Sequence, residues 1–62
     1  MNVKIARIKM GFTQKQLAQI SGVSNVTIGK IEQGNYNNIT KLTMVKLAKA
    51  LNSTVQELFF DE

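Results

Sequence analysis

The 62-residue chain contains no cysteine, histidine, proline or tryptophan. Without thiolate or imidazole side chains, disulfide bonds and the common zinc sites are both excluded. Only four carboxylates are present, and no two of them are placed as a pair for acid–base chemistry. We therefore expect no metal, no cofactor and no catalytic residues, and an enzyme is the weakest of the functional classes.

Long hydrophobic runs are also missing. No apolar segment approaches the roughly 18 to 20 residues needed to span a bilayer, and the N-terminus lacks the apolar stretch of a signal peptide. A chain of this length forms one small domain that buries only about 60% of its unfolded surface. The sequence thus predicts a single cytoplasmic domain over residues 1–62 with no membrane partner.

Acidic residues are absent from the first half of the chain, although the net charge is only +4. Residues 1–31 carry five basic side chains and no carboxylate, whereas three of the four acids lie within residues 57–62. A basic half beside an acidic tail indicates a face for a polyanion such as nucleic acid. A surplus of this size is equally consistent with an ordinary solvated surface.

Apolar spacing, hydroxyl residues and glycines predict three helices in the first half. Apolar residues recur three and four positions apart, and a hydroxyl residue that can accept from free backbone amides stands before the second and third helices. Glycine tolerates the positive φ with which helices commonly end. The residues concerned are Ile5, Ile8, Gly11 and Phe12, then Thr13, Leu17, Ala18, Ile20 and Gly22, then Ser24, Ile28, Ile31 and Gly34.

Two more helices are predicted after a polar loop at residues 35–38. The fourth is capped by Thr40, and the fifth is marked by Thr54 and Glu57 in a capping-box pattern. Leu42 and Val45 lie off the apolar stripe of the fourth helix, where they either widen the core face or contact a partner. The stripes are Met44, Leu47, Ala48 and Leu51 in the fourth helix, and Val55, Leu58 and Phe59 in the fifth. We expect an all-α fold, a compact bundle of five helices.

Residues 14–32 have the spacing of a helix-turn-helix. Ala18 is small enough for the two helices to cross closely, and Gly22, four residues later, suits the positive φ of a tight turn. Ser24 then caps the second helix of the pair. Apolar residues in register hold the pair to the core, namely Leu17, Val23, Ile28 and Ile31.

Over about residues 5–59 the sequence resembles the Cro and lambda-repressor-like (XRE-type) helix-turn-helix domains. The resemblance implies a sequence-specific transcriptional regulator, a repressor, that binds double-stranded DNA. It also implies a homodimer whose recognition helices read the major groove of a pseudo-palindromic operator. The matching residues are Arg7, Gly11 to Gln14, Leu17, Ala18, Gly22 to Ser24, Thr27, Ile28, Ile31, Glu32, Gly34, Leu47, Ala48, Ala50, Leu51, Glu57 and Leu58.

The resemblance further implies roles for individual residues. Base edges are read from the exposed face of the third helix, where asparagine pairs with adenine, lysine with guanine, and valine packs on a thymine methyl. The base-reading residues are then Asn25, Val26, Gly29 and Lys30, and the phosphate-contacting residues are Gln14, Ser24, Thr27, Asn35, Tyr36 and Asn37. As alternatives, these residues only cap helices or lie in solvent, and Tyr36 packs on the domain surface instead.

Arg7 and Glu32 match positions that form a structural salt bridge in relatives and tie the first helix to the end of the third. The candidate dimer contact on the fifth helix comprises Val55, Leu58, Phe59 and Phe60, with the alternative that these residues close the core of a monomer. The chain departs from the family pattern at residues 39–41, which lack the usual proline and buried leucine. Loop geometry there is therefore not predicted.

Two functional classes compete. The first is the DNA-binding regulator, and the second is a protein-interaction or antitoxin-type module on the same fold. Polar and basic residues on the exposed face of the third helix favour DNA, since an aliphatic face would favour a protein. No small-molecule ligand is indicated, so we expect any control to come from concentration, proteolysis or a protein antagonist.

Overall fold

The computed structural model describes residues 2–37 and 39–60, which form five helices and no strand. They are α1 (Val3–Lys9), α2 (Gln14–Ser21), α3 (Asn25–Glu32), α4 (Lys41–Ala50) and α5 (Gln56–Phe60), the last being a single π-helical turn. The expected all-α fold is confirmed. None of these helices is both long and apolar enough to cross a membrane. The loop residue Asn38 and the acidic residues Asp61 and Glu62 lie outside the described residues.

Helices α1 to α4 each begin at a side-chain N-cap. Thr13 and Gln16 complete a capping box on α2, because the Thr13 hydroxyl accepts from the Gln16 backbone N–H at 3.0 Å and the Gln16 side-chain Oε1 accepts from the Thr13 backbone N–H at 2.9 Å. Such a cap stabilises a helix by about 1 kcal/mol. The predicted caps Thr13, Ser24 and Thr40 are confirmed, and Asn2 caps α1 in the same way.

The turn between α2 and α3 depends on Gly22. Its φ of 75° and ψ of 13° are left-handed, and its amide donates to the Ala18 carbonyl at 3.0 Å. A β-carbon would meet open space there but would strain the backbone, because L residues rarely adopt this φ. The glycine therefore ends α2 and turns the chain directly into α3.

The core forms where α2 packs against both α3 and α4. One side chain from each of these helices is fully buried, and they are Leu17, Ile28 and Leu47. Other buried apolar residues surround these three, namely Val3, Ala6, Val23, Ile31, Ala48, Leu51 and Leu58. The helix-turn-helix pair is thus held on its inner side by a continuous apolar core.

The prediction of which face of α1 points into the core is wrong. Ile5 and Ile8 are exposed, and Val3 and Ala6 are the residues that α1 buries. Both pairs have a spacing of three, so periodicity alone does not say which faces inward. Ala6 lets α1 approach its neighbours closely, and the rotation that buries it also directs Arg7 towards the end of α3.

At residues 39–41, where the chain departs from the family pattern, Ile39 packs against the core. On α4 itself, Leu42 is 62% exposed, whereas Val45 is partly buried. The two residues that lie off the apolar stripe therefore differ. Leu42 leaves an apolar side chain at the surface, whereas Val45 is half-covered.

Candidate nucleic-acid interface

The face of α3 opposite its buried stripe is open to solvent. Ile28 and Ile31 point into the core, whereas Asn25 and Lys30 are exposed and Val26 is 69% exposed. At about 3.6 residues per turn, positions 25, 26, 29 and 30 fall on one side of the helix and positions 28 and 31 on the other. The structure therefore brings the four base-reading candidates onto one face, with Gly29 half-buried among them.

Gln33, the C-terminal cap residue of α3, extends this face by one turn. It is exposed and lies four residues after Gly29 and three after Lys30, so helical geometry places it on the same side. The sequence reasoning missed Gln33 because it followed the family positions only. The helical projection of residues 25–33 would have identified it.

Gly29 is not required by the packing of the domain. A β-carbon built there meets no atom within 4 Å, and the backbone lies outside the left-handed region. Glycine costs a helix interior about 1 kcal/mol relative to alanine. Packing within the described residues therefore does not account for a glycine at this position.

Ser24 and Thr27, two candidate phosphate donors, use their hydroxyls differently. The Ser24 hydroxyl accepts from the Thr27 amide at 3.1 Å and donates its own hydrogen to the Thr27 hydroxyl oxygen at 2.8 Å. Its single hydrogen is therefore already used within the helix cap. Thr27 keeps its hydroxyl hydrogen, and Thr27 is the better placed of the two to donate to a phosphate.

The loop after α3 lies beside this face. The Asn35 backbone N–H donates to the Lys30 backbone carbonyl at 2.9 Å, and the Asn37 backbone N–H donates to the Asn35 side-chain oxygen at 3.2 Å. The loop and α3 together line a small cleft of about 110 Å³, bordered by Thr27, Lys30, Ile31, Asn35, Asn37 and Ile39. Exposed amide and hydroxyl groups thus continue from α3 into the loop.

The Tyr36 side chain lies partly against the domain and partly in solvent. Its ring packs edge-on against Phe59 of α5, with 6.1 Å between ring centroids and 78° between ring planes. It nevertheless remains 47% exposed. The contact ties the loop after α3 to the last helix.

Arg7 and Glu32 form a bidentate ion pair between α1 and the end of α3. Arg7 Nε donates to Glu32 Oε2 at 2.8 Å and Nη2 donates to Oε1 at 3.1 Å, while Nη1 donates to the Phe12 carbonyl at 2.7 Å. The two side chains are only 13% and 4% exposed. Gln14 joins this network, because its Nε2 donates to Glu32 Oε1 at 3.1 Å.

The pKa of Glu32 lies below its ordinary value. Burial acts to raise this pKa, but hydrogen bonds from Arg7 and Gln14, with the charges of Arg7 and Lys4, outweigh burial. The hydrogen bond to Glu32 in turn raises the pKa of Arg7 against the opposing effect of desolvation. Glu32 is therefore ionised in the folded domain at neutral pH.

Acid should remove the stabilisation that this pair provides. Because the folded pKa of Glu32 is depressed, its contribution is complete above the unfolded value of about 4.3 and is lost as the pH falls through the folded value. We expect the free energy of unfolding to be level near neutral pH and to decrease below about pH 4.3. Denaturant unfolding across this pH range measures the decrease in the free energy of unfolding. If Glu32→Gln lost as much stability in acid as the unmodified protein does, the decrease could not be assigned to the Arg7–Glu32 pair.

The four candidate dimer residues do not share one surface. Leu58 is 3% exposed and belongs to the core, so it has no surface to offer a partner and is removed from the candidate contact. Val55, just before α5, and Phe59 within it are partly buried against the same core. Phe60, at 56% exposed, is the apolar side chain that α5 leaves free.

Two helices joined by a left-handed glycine, with one buried and one exposed face on the second, define a helix-turn-helix. The Helix-turn-helix family model matches residues 3–58, which is nearly the whole chain. The chain belongs to the XRE-type helix-turn-helix family of DNA-binding transcriptional regulators. That family is not a class of enzymes.

Curated relatives carry the same domain. The chain is 42% identical over 57 residues to the control protein C.SmaI of Serratia marcescens, covering 92% of this chain and 67% of that protein. It is 39% identical over 61 residues to an uncharacterised HTH-type transcriptional regulator of Archaeoglobus fulgidus, covering 97% and 84%. Identity to the competence pilus inhibition repressor of Acinetobacter baylyi is 37% over 57 residues, covering 92% and 51%. No solved structure gives a significant match.

Proposed function

We propose that this protein is a repressor that binds a pseudo-palindromic DNA operator as a homodimer and reads base edges with α3. The observation that carries the proposal is the exposed polar and basic face of α3, opposite its buried apolar stripe. Asparagine, valine and lysine on such a face match the donors, acceptors and methyl groups of the major groove. The base-reading residues are Asn25, Val26, Gly29 and Lys30, and Gln33 extends the same face.

Phosphate contacts flank this face in the proposed complex. Gln14 lies at the start of α2 and Thr27 on the side of α3, and the loop residues Asn35, Tyr36 and Asn37 follow α3. Ser24 positions the Thr27 hydroxyl through their mutual hydrogen bond. These contacts orient the domain on the duplex without reading sequence.

A homodimer accounts for specificity, because a single recognition helix reads only a few base pairs. Two half-sites about one DNA turn apart multiply the discrimination. Exposed Phe60 on α5, with the half-buried Val55, is the proposed apolar contact between protomers. In-vitro selection of bound DNA should return two inverted copies of one short motif, and a single unpaired motif would contradict the dimer.

Two substitutions distinguish the proposed base-reading contacts from the proposed phosphate contacts. Lys30→Ala should cost about 1 to 3 kcal/mol on the selected site and relax one base position, whereas Gln14→Ala should weaken all DNA sequences alike. Binding of the unmodified protein should also weaken as the salt concentration rises. The slope of the logarithm of the binding constant against the logarithm of the salt concentration should be about −0.9 per phosphate contact. Equilibrium binding to selected and random duplexes measures both effects.

Lys49→Ala is the matched control for Lys30→Ala, since it removes the same charge from an exposed position on α4. It should leave base preference unchanged. Equal losses on selected and random DNA for Lys30→Ala and Gln14→Ala would contradict the division between base reading and phosphate contact.

The second candidate function is a protein-interaction or antitoxin-type module. Exposed apolar side chains away from the face of α3 favour it, among them Ile8 on α1 and Leu42 on α4, at 58% and 62% exposed. Selection that enriches no DNA sequence would support this second function over the first. A protein antagonist that covers these side chains is compatible with either function.

A further inference from the structure

Gln14 makes a hydrogen bond that the folding of its own helix does not need. The capping box of α2 is complete between Thr13 and Gln16. The side chain of Gln14 nevertheless lies half-buried with Nε2 at 3.1 Å from Glu32 Oε1, eighteen residues away at the end of α3. This bond links the first residue of α2 to the last residue of α3.

The bond settles the orientation of the Gln14 amide. An ionised carboxylate only accepts hydrogen bonds, so the amide must present its NH₂ group, not its carbonyl oxygen, to Glu32. One of the two N–H donors is used in this way. Within residues 2–37 and 39–60 the second N–H and the carbonyl oxygen make no hydrogen bond, so they are available to a group outside the domain.

Glu32 is itself held rigidly. Arg7 donates to both carboxylate oxygens of Glu32 and, with its third nitrogen, to the Phe12 carbonyl. Bidentate guanidinium–carboxylate pairs fix geometry more firmly than single hydrogen bonds do. A glutamine side chain has substantial rotamer freedom, which it loses when it binds a ligand. Here much of that freedom is already lost in the unbound domain.

From this network we infer that Glu32 is a positioning residue for DNA binding, which holds the Gln14 amide ready to donate its second N–H to a phosphate oxygen. Arg7 acts indirectly, because it holds the Glu32 carboxylate in place. The inference rests on the proposed DNA contact of Gln14 and adds a functional role to an ion pair whose expected role is structural. Ordering one flexible side chain in advance is worth roughly three- to tenfold in affinity.

A double-mutant cycle between Glu32→Gln and Gln14→Ala tests the inference. An amide at position 32 is uncharged and has an NH₂ group in place of one acceptor oxygen, so it cannot accept from Arg7 at two oxygens and also hold Gln14 as firmly as the carboxylate does. Affinity for selected and random duplexes is measured by fluorescence anisotropy. Glu57→Gln is the matched control, because it removes the same charge from an exposed position whose carboxylate accepts from the hydroxyls of Ser53 and Thr54.

Relative to the Glu57→Gln control, Glu32→Gln should weaken binding about three- to tenfold on both kinds of DNA, and by less than about twofold when Gln14 is already alanine. An equal loss in both backgrounds would mean that Glu32 acts only through the fold, and would overturn the inference. Stronger binding by Glu32→Gln than by the control would overturn it too. If the unmodified protein shows no salt-dependent DNA binding, the proposed function fails first, and the inference fails with it.

An NMR measurement distinguishes a change in the orientation of the Gln14 side-chain amide from a loss of folding. The side-chain amide of Gln14 should give NMR signals shifted away from those of free glutamine in the unmodified protein, and in Glu32→Gln these signals should move to the free position. If Glu32→Gln does not fold, Glu32→Asp replaces it in the same cycle. That variant keeps a carboxylate that the long Arg7 side chain can follow, but its shorter side chain lengthens the 3.1 Å contact with Gln14, and the same outcomes support or overturn the inference.

Discussion

Val26→Glu is expected to weaken binding to selected operator DNA by at least about 100-fold while the domain remains folded. Val26 is 69% exposed on the face of α3 that we propose enters the major groove. A carboxylate there would be buried against a polyanion, and juxtaposed like charges cost several kcal/mol. A tenfold change corresponds to about 1.4 kcal/mol, so a loss of two orders of magnitude or more follows.

The fold should tolerate this change. Position 26 is in the first turn of α3, where a negative charge is favourable, and exposed substitutions usually alter stability by less than about 0.5 kcal/mol. Ile8→Glu is the matched control, with the same charge change at a residue that is 58% exposed on α1. Retained binding by Val26→Glu, or an equal loss with Ile8→Glu, would place the DNA-binding face elsewhere.

Leu17→Ala should have the largest effect on stability. Leu17 is fully buried on α2, the helix that packs against both α3 and α4. Truncating a buried leucine costs about 3 kcal/mol or more, through lost burial and the cavity that remains. A domain of this length has about 3 to 9 kcal/mol in total. Each kcal/mol corresponds to about 4 to 8 °C, so thermal unfolding should shift down by about 12 to 24 °C.

Ile20→Ala provides the comparison on the same helix, because Ile20 is 56% exposed. Circular dichroism melting should show a shift of only a few degrees for this variant. DNA binding by Leu17→Ala should recover at low temperature, where a folded fraction returns. Similar melting temperatures for the two variants would show that α2 does not form the centre of the core.

Local chemistry explains why the helices could be predicted. The hydroxyls of Thr13, Ser24 and Thr40 cap the helices that follow them, and Gly22 adopts the left-handed φ expected of it. These features depend on residues within one turn of each other. The spacing from Gln14 to Glu32 therefore specified the helix-turn-helix before its packing was known.

The use of individual side chains in the site was less predictable. The hydrogen bond from Gln14 to Glu32 joins residues on two helices, and no spacing rule contains it. The Ser24 hydroxyl was a candidate phosphate donor, yet its hydrogen is committed to Thr27. Which donors remain for DNA depends on contacts that form only once the helices are assembled.

What the sequence determined by itself was the number of helices, the turn at Gly22 and the family, because caps, glycines and apolar spacing act locally. The tertiary structure decided which side of α1 faces inward, where Ala6 is buried and Ile8 is exposed, and it placed Leu58 in the core. Apolar spacing gives the faces of a helix but not its rotation against its neighbours. That rotation follows from how the helices fill the core together, so only the assembled bundle establishes it.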